Sequence, residues 1–164
     1  MFPFTTVHET PTIAEKPYIV VAESGKFSLV VPEPRVNSSG TTWSGSDFTR
    51  GRARASGLQL SSMGETAKTV GFENVFVARN STDDATSINA KLAAGLHLLL
   101  TPGIYQLDAA LELKHAGQVV LGIGMATLVS AAGAPCIRVG GVAGVRVAGL
   151  LLQAGPVEAP TYIA

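Results

Sequence analysis

The side chains of this sequence that could do chemistry are few and scattered. Asp83 and Asp84 are adjacent carboxylates. Such a pair could ligate a divalent cation, but a calcium loop supplies further oxygen ligands at regular spacing and none follow here. Ser81, Thr82 and Asp83 stand just before an apolar periodic segment, which is where helix N-caps occur, so the pair is read as capping a helix. Arg50, Arg52 and Arg54 alternate in a Gly/Ala-rich stretch. If that stretch is extended, all three project on one side, and their guanidinium forks suit an anionic sugar or a phosphate. A solvated loop is the competing reading. Trp43, the only tryptophan, lies in Gly40-Thr41-Thr42-Trp43-Ser44-Gly45 and either stacks on a sugar ring or packs against the core. Asp47 and Glu112 are lone carboxylates, whereas glycoside hydrolysis uses a pair at set separation. His8, His97 and His115 lack zinc-ligand spacing. Cys136, in the apolar run Cys136-Ile137-Arg138-Val139, is read as a small buried hydrophobe with no general base near it in sequence. The candidate substrate-binding set is therefore Trp43, Arg50, Arg52 and Arg54. No catalytic set, metal site or cofactor is expected.

The elements that must hold these side chains follow from pattern. Residues 1–16 read as an extended arm. Tyr18–Val21 and Phe27–Val31 read as two strands joined by a turn at Glu23-Ser24-Gly25-Lys26. Residues 35–70, rich in Ser, Thr, Gly and Arg, read as a long polar loop. A strand returns at Val75–Ala78. Ala85, Ile88 and Leu92 then recur at helical spacing, with Gly95 as the stop.

Beyond Gly95 the chain becomes a series of short β-runs separated by Gly, Pro and Ala. Leu98 to Val119 spans 119 − 98 = 21 residues, and Val119 to Val145 spans 145 − 119 = 26. Repeats of roughly 20 to 50 residues indicate solenoids or arrays. A parallel solenoid would place Leu98, Leu100, Val119, Leu121, Val145 and Val147 in aligned inward columns. The short helix, through Ile88 and Leu92, would cover the solenoid mouth. A β-sandwich is the alternative, but it favours longer alternating strands with Asn-Gly-type hairpins, which are missing here.

The stretch Asp83-Asp84-Ala85-Thr86-Ser87-Ile88-Asn89-Ala90, then Gly95, then Leu98-Leu99-Leu100-Thr101-Pro102-Gly103-Ile104-Tyr105, resembles the entry of the pectin-lyase-like right-handed parallel β-helix superfamily. Val119-Val120-Leu121-Gly122-Ile123-Gly124 and Val145-Arg146-Val147-Ala148-Gly149-Leu150 resemble its later segments. The resemblance covers residues 72–155. The opening, from Lys16-Pro17-Tyr18 to Trp43, is similar to large secreted microbial β-helix proteins, some of them exo-acting β-1,3-glucanases of the double β-helix type.

The resemblance implies an all-β fold: a right-handed parallel β-helix of about three coils, with an N-terminal β-hairpin and one short capping α-helix. The expected organisation is an arm at 1–16, strands and a polar loop at 17–71, and capping helix and first coils at 72–164. It implies a glycoside hydrolase or polysaccharide lyase, with polysaccharide as partner and a secreted location. The family's catalytic residues lie on later coils, and no position here matches a catalytic motif. Two other classes stay open, a non-catalytic structural or adhesive β-helix and an N-terminal cap docking on the rest of its own chain. The run Tyr162-Ile163 predicts the start of another strand. The open last coil is therefore expected to be covered by the remainder of the protein or by another copy.

Composition narrows the field. Lys+Arg and Asp+Glu are each 12, for a formal net charge of zero. That disfavours nucleic-acid binding through bulk positive charge and gives no basis for a membrane-surface role. Hydrophobic residues are 46 % but aromatics only 6 %, which suits thin stacked layers of Val, Leu, Ile and Ala. No apolar run is long enough to span a bilayer. Met1 to Lys16 has no basic segment followed by an apolar one, so no signal peptide is expected there.

Overall fold

The computed structural model describes residues 10–38, 67–161 and 163–164. The chain divides into two compact units, Met1–Val70 and Gly71–Ala164.

In the first unit, β1 (Thr10–Ile13) and β4 (Arg35–Ser38) pair antiparallel. The hairpin expected from sequence is present: β2 (Tyr18–Val21) runs antiparallel to β3 (Phe27–Pro32), with Val21 opposite Phe27. Its turn is closed by the Ala22 N–H, which donates to the Lys26 carbonyl at 2.9 Å. A further strand, β5 (Ala67–Gly71), joins β3 on the edge opposite β2. Strands thus form at both ends of the stretch read as a loop. Val36, Ala67, Lys68 and Thr69 are all exposed. Backbone pairing rather than burial makes these strands, so they carry no period-two apolar signal.

In the second unit a short 3-10 turn, Phe72–Asn74, leads into β6 (Val75–Ala78). The helix α1 (Ala85–Ala93) follows. Its N-cap is Asp84, the second carboxylate of the pair read as capping a helix. Asp84 Oδ1 accepts the Ser87 N–H at 2.7 Å, and Ser87 Oγ accepts the Asp84 N–H at 3.0 Å, a reciprocal box. Asp83 instead accepts the Arg79 N–H at 2.8 Å and steadies the preceding turn. The helix stops at Gly95 (φ +85°), where a side chain would be strained. The Gly95 N–H donates to Leu92 O at 2.9 Å and the Leu96 N–H to Lys91 O at 3.2 Å, the paired bonds of a Schellman stop. Ala85, Ile88 and Leu92 are buried and join the main core, as their spacing predicts.

The remaining strands are β7 (His97–Leu100), β8 (Ile104–Leu107), β9 (Leu111–Leu113), β10 (Val119–Ser130), β11 (Ile137–Val139) and β12 (Arg146–Ala154). They pair along three tracks, all parallel. The first aligns Phe76, Leu98, Val120 and Val147. The second aligns Tyr105, Leu128 and Leu152. The third aligns Leu111, Ile137 and, through an isolated bridge, Ile163. Both β10 and β12 serve the first two tracks. β10 bends where its register shifts between Leu121 and Ala126, with Gly124 (φ +58°) and Met125 (φ +61°) left-handed. A side chain at Gly122 would collide with the Gly149 carbonyl and the Leu150 side chain in the next strand. The unit is thus mostly β, a curled parallel sheet with one α-helix among the described residues.

The register differs by one residue from the sequence expectation. Leu98 aligns with Val120, not Val119, and the spacings are 120 − 98 = 22 and 147 − 120 = 27. Leu98, Leu100, Val145 and Val147 join the core cluster as expected. Val119 and Leu121 alternate to the other side of the strand, where they are buried too.

Among the described residues, exposure along the core columns rises toward β12 and Ile163. Along the second track, exposure runs 3 % at Tyr105, 0 % at Leu128 and 37 % at Leu152. Along the third it is 0 % at Leu111, 0 % at Ile137 and 45 % at Ile163.

Candidate functional site

Polar side chains gather where α1 meets the first strands. Asn89 sits mid-helix, and its amide reaches β9: Nδ2 donates to Ala110 O at 2.8 Å, and Oδ1 accepts the Glu112 N–H at 2.8 Å. These are the bonds a neighbouring strand would make on that edge. Gln118 is almost wholly buried and makes four bonds. Oε1 accepts the Lys114 and His115 N–H groups, both at 3.0 Å, while Nε2 donates to Leu92 O at 2.8 Å and Leu96 O at 3.1 Å. It thereby ties carbonyls at the helix C-terminus to the corner before β10. His115 Nε2 lies 3.0 Å from Ala93 O.

On the solvent side of the third track, Glu112 and Arg138 are cross-strand neighbours with Oε1 and Nη1 2.8 Å apart. Lys114 Nζ stands 3.8 Å from the other carboxylate oxygen. Glu112 therefore faces two cations rather than the second carboxylate that glycoside hydrolysis requires. These three side chains can exchange hydrogen bonds with hydroxyl groups, but they present no activated nucleophile.

Asp83, Asp84, Cys136 and His97 have structural roles. Asp83 and Asp84 cap a turn and the helix, and among the described residues no group of three or more His, Cys, Asp and Glu could hold a metal ion. Cys136 is buried, with Sγ 3.7 Å from Leu128 O, and burial pushes its thiol pKa up, away from the reactive thiolate. His97 Nδ1 accepts the Val119 N–H at 3.0 Å. Trp43, Arg50, Arg52 and Arg54, together with His8 and Asp47, lie outside the described residues. Sequence reasoning missed Asn89 and Gln118. Asn89 had one signal, a poor helix former inside a helix; Gln118, between Gly117 and a Val-rich strand, had none.

A model of the LAM55 pectate lyase-like domain matches residues 75–164, the parallel tracks and the helix together. The chain belongs to this family. An exo-beta-1,3-glucanase from Streptomyces sp. (strain SirexAA-E / ActE) is 35 % identical over 161 residues. That match takes in 98 % of this chain but 24 % of the relative, so the chain spans about a quarter of its length. The solved structure of sacteLam55A from Streptomyces sp. SirexAA-E superposes on this LAM55 chain with a TM-score of 0.80 at 34 % identity, covering 98 % of this chain and 26 % of that one. A glutamate-to-alanine variant of sacteLam55A in complex with glucose gives 0.77 at 34 % identity, covering 94 % and 24 %.

Among the described residues, no helix is long and apolar enough to cross a membrane.

Proposed function

We propose that this chain is the N-terminal part of a secreted glycoside hydrolase of the LAM55 kind acting on β-1,3-glucan, and that it does not hold a complete active site. The observation that carries the proposal is the 35 % identity to an exo-beta-1,3-glucanase across nearly the whole chain. Fold alone would not, because one architecture hosts many chemistries.

In this reading the three parallel tracks are three faces of a right-handed β-helix, and the chain completes about three coils. Strands β7, β8 and β9 make the first coil, β10 and β11 the second, and β12 with Ile163 the third. The two register spacings on the first track, 22 and 27 residues, support it, as does the run of core exposure from closed to open. Helix α1 is the cap at the closed end. The remainder of the same protein packs on the open end at Leu152 and Ile163, where a further parallel strand would extend every column; another copy is the alternative occupant.

A neutral glucan changes the weight of the sequence candidates. The guanidinium forks of Arg50, Arg52 and Arg54 suit an anionic sugar or a phosphate and have no anion to grip on such a polymer. Trp43 gains, since an indole face suits the C–H face of a pyranose. Affinity electrophoresis through gels containing soluble β-1,3-glucan or polygalacturonate tests the assignment. Retardation by the glucan alone, weakened in Trp43→Ala, is the expected result. Retardation by polygalacturonate, or by neither polymer, would overturn it and favour a lyase-like or a purely structural role.

A further inference from the structure

We draw no further inference here: the strongest candidate, the open end of the core at Leu152 and Ile163 beside the outer edge of β12, belongs to the proposal just made, and nothing in the structure shows which chain covers it.

Discussion

Asn89 holds Glu112 as a strand would. Its side-chain carbonyl accepts the Glu112 N–H at 2.8 Å, and its amide donates to Ala110 O at 2.8 Å, so a helical residue completes the edge of β9. An unpaired parallel edge is a template for aggregation, and one side chain blunts it here. Asn89→Ala leaves one donor and one acceptor unmatched in a half-buried setting. A loss of about 2 kcal/mol follows, read as a lower urea midpoint at unchanged slope. Asn89→Asp keeps the acceptor for Glu112 but turns a carboxylate toward Ala110 O, so it should not rescue stability.

Gln118 carries more. Four backbone groups depend on it, and its side chain is almost wholly buried. Gln118→Leu keeps much of the volume and removes every partner. The expected cost is about 3 kcal/mol or more, seen as a lower thermal midpoint. Near-neutral behaviour would mean that the helix C-terminus is not anchored through this residue.

The parallel register makes a paired prediction on β10 and β12. Leu128 is fully buried in the core column, and Leu151, on the outermost strand β12, is exposed. Leu128→Ala should cost about 2 to 5 kcal/mol, and Leu151→Ala about 0.5 kcal/mol or less. Equal costs, or the reverse order, would contradict the placement of β10 inside the stack and β12 at its edge.

The register is also where sequence reasoning reached its limit. Ala85, Ile88 and Leu92 announced the helix because only one of its faces is buried, so a 3.6-residue period survives in the sequence. Val119-Val120-Leu121 is buried on both faces, and an uninterrupted apolar run has no period from which to choose the inward residue. The choice is made instead by the length of the corner at Gly117-Gln118, which Gln118 fixes through bonds to residues more than twenty positions away. The sequence alone leaves the N-cap open, because Ser81, Thr82, Asp83 and Asp84 are all competent caps. Backbone geometry selects Asp84 and gives Asp83 to the turn before it.

Asp84 makes stability depend on pH. Chiefly the hydrogen bond from the Ser87 backbone N–H, with the Ser87 side chain beside it, holds its carboxyl below the ordinary aspartate value in the folded chain. A lowered folded value favours folding above the unfolded-state value, and that contribution disappears as pH falls through the folded one. The gain is therefore present at neutral pH and lost in the acid window where pH falls from the ordinary aspartate value through the lowered folded one. Asp84→Asn keeps an acceptor for Ser87 and removes the titration. Urea midpoints across that window should fall less steeply for the variant than for the parent, and parallel curves would contradict the assignment.

Glucose release from a soluble β-1,3-glucan by the purified 164-residue chain tests the central claim most directly. The account predicts no release above the enzyme-free blank, because Glu112 faces Arg138 and Lys114 rather than a second carboxylate and, in the proposed reading, this chain does not hold a complete active site. Release of glucose that disappears in Glu112→Gln would contradict it, and would place a working carboxylate on β9.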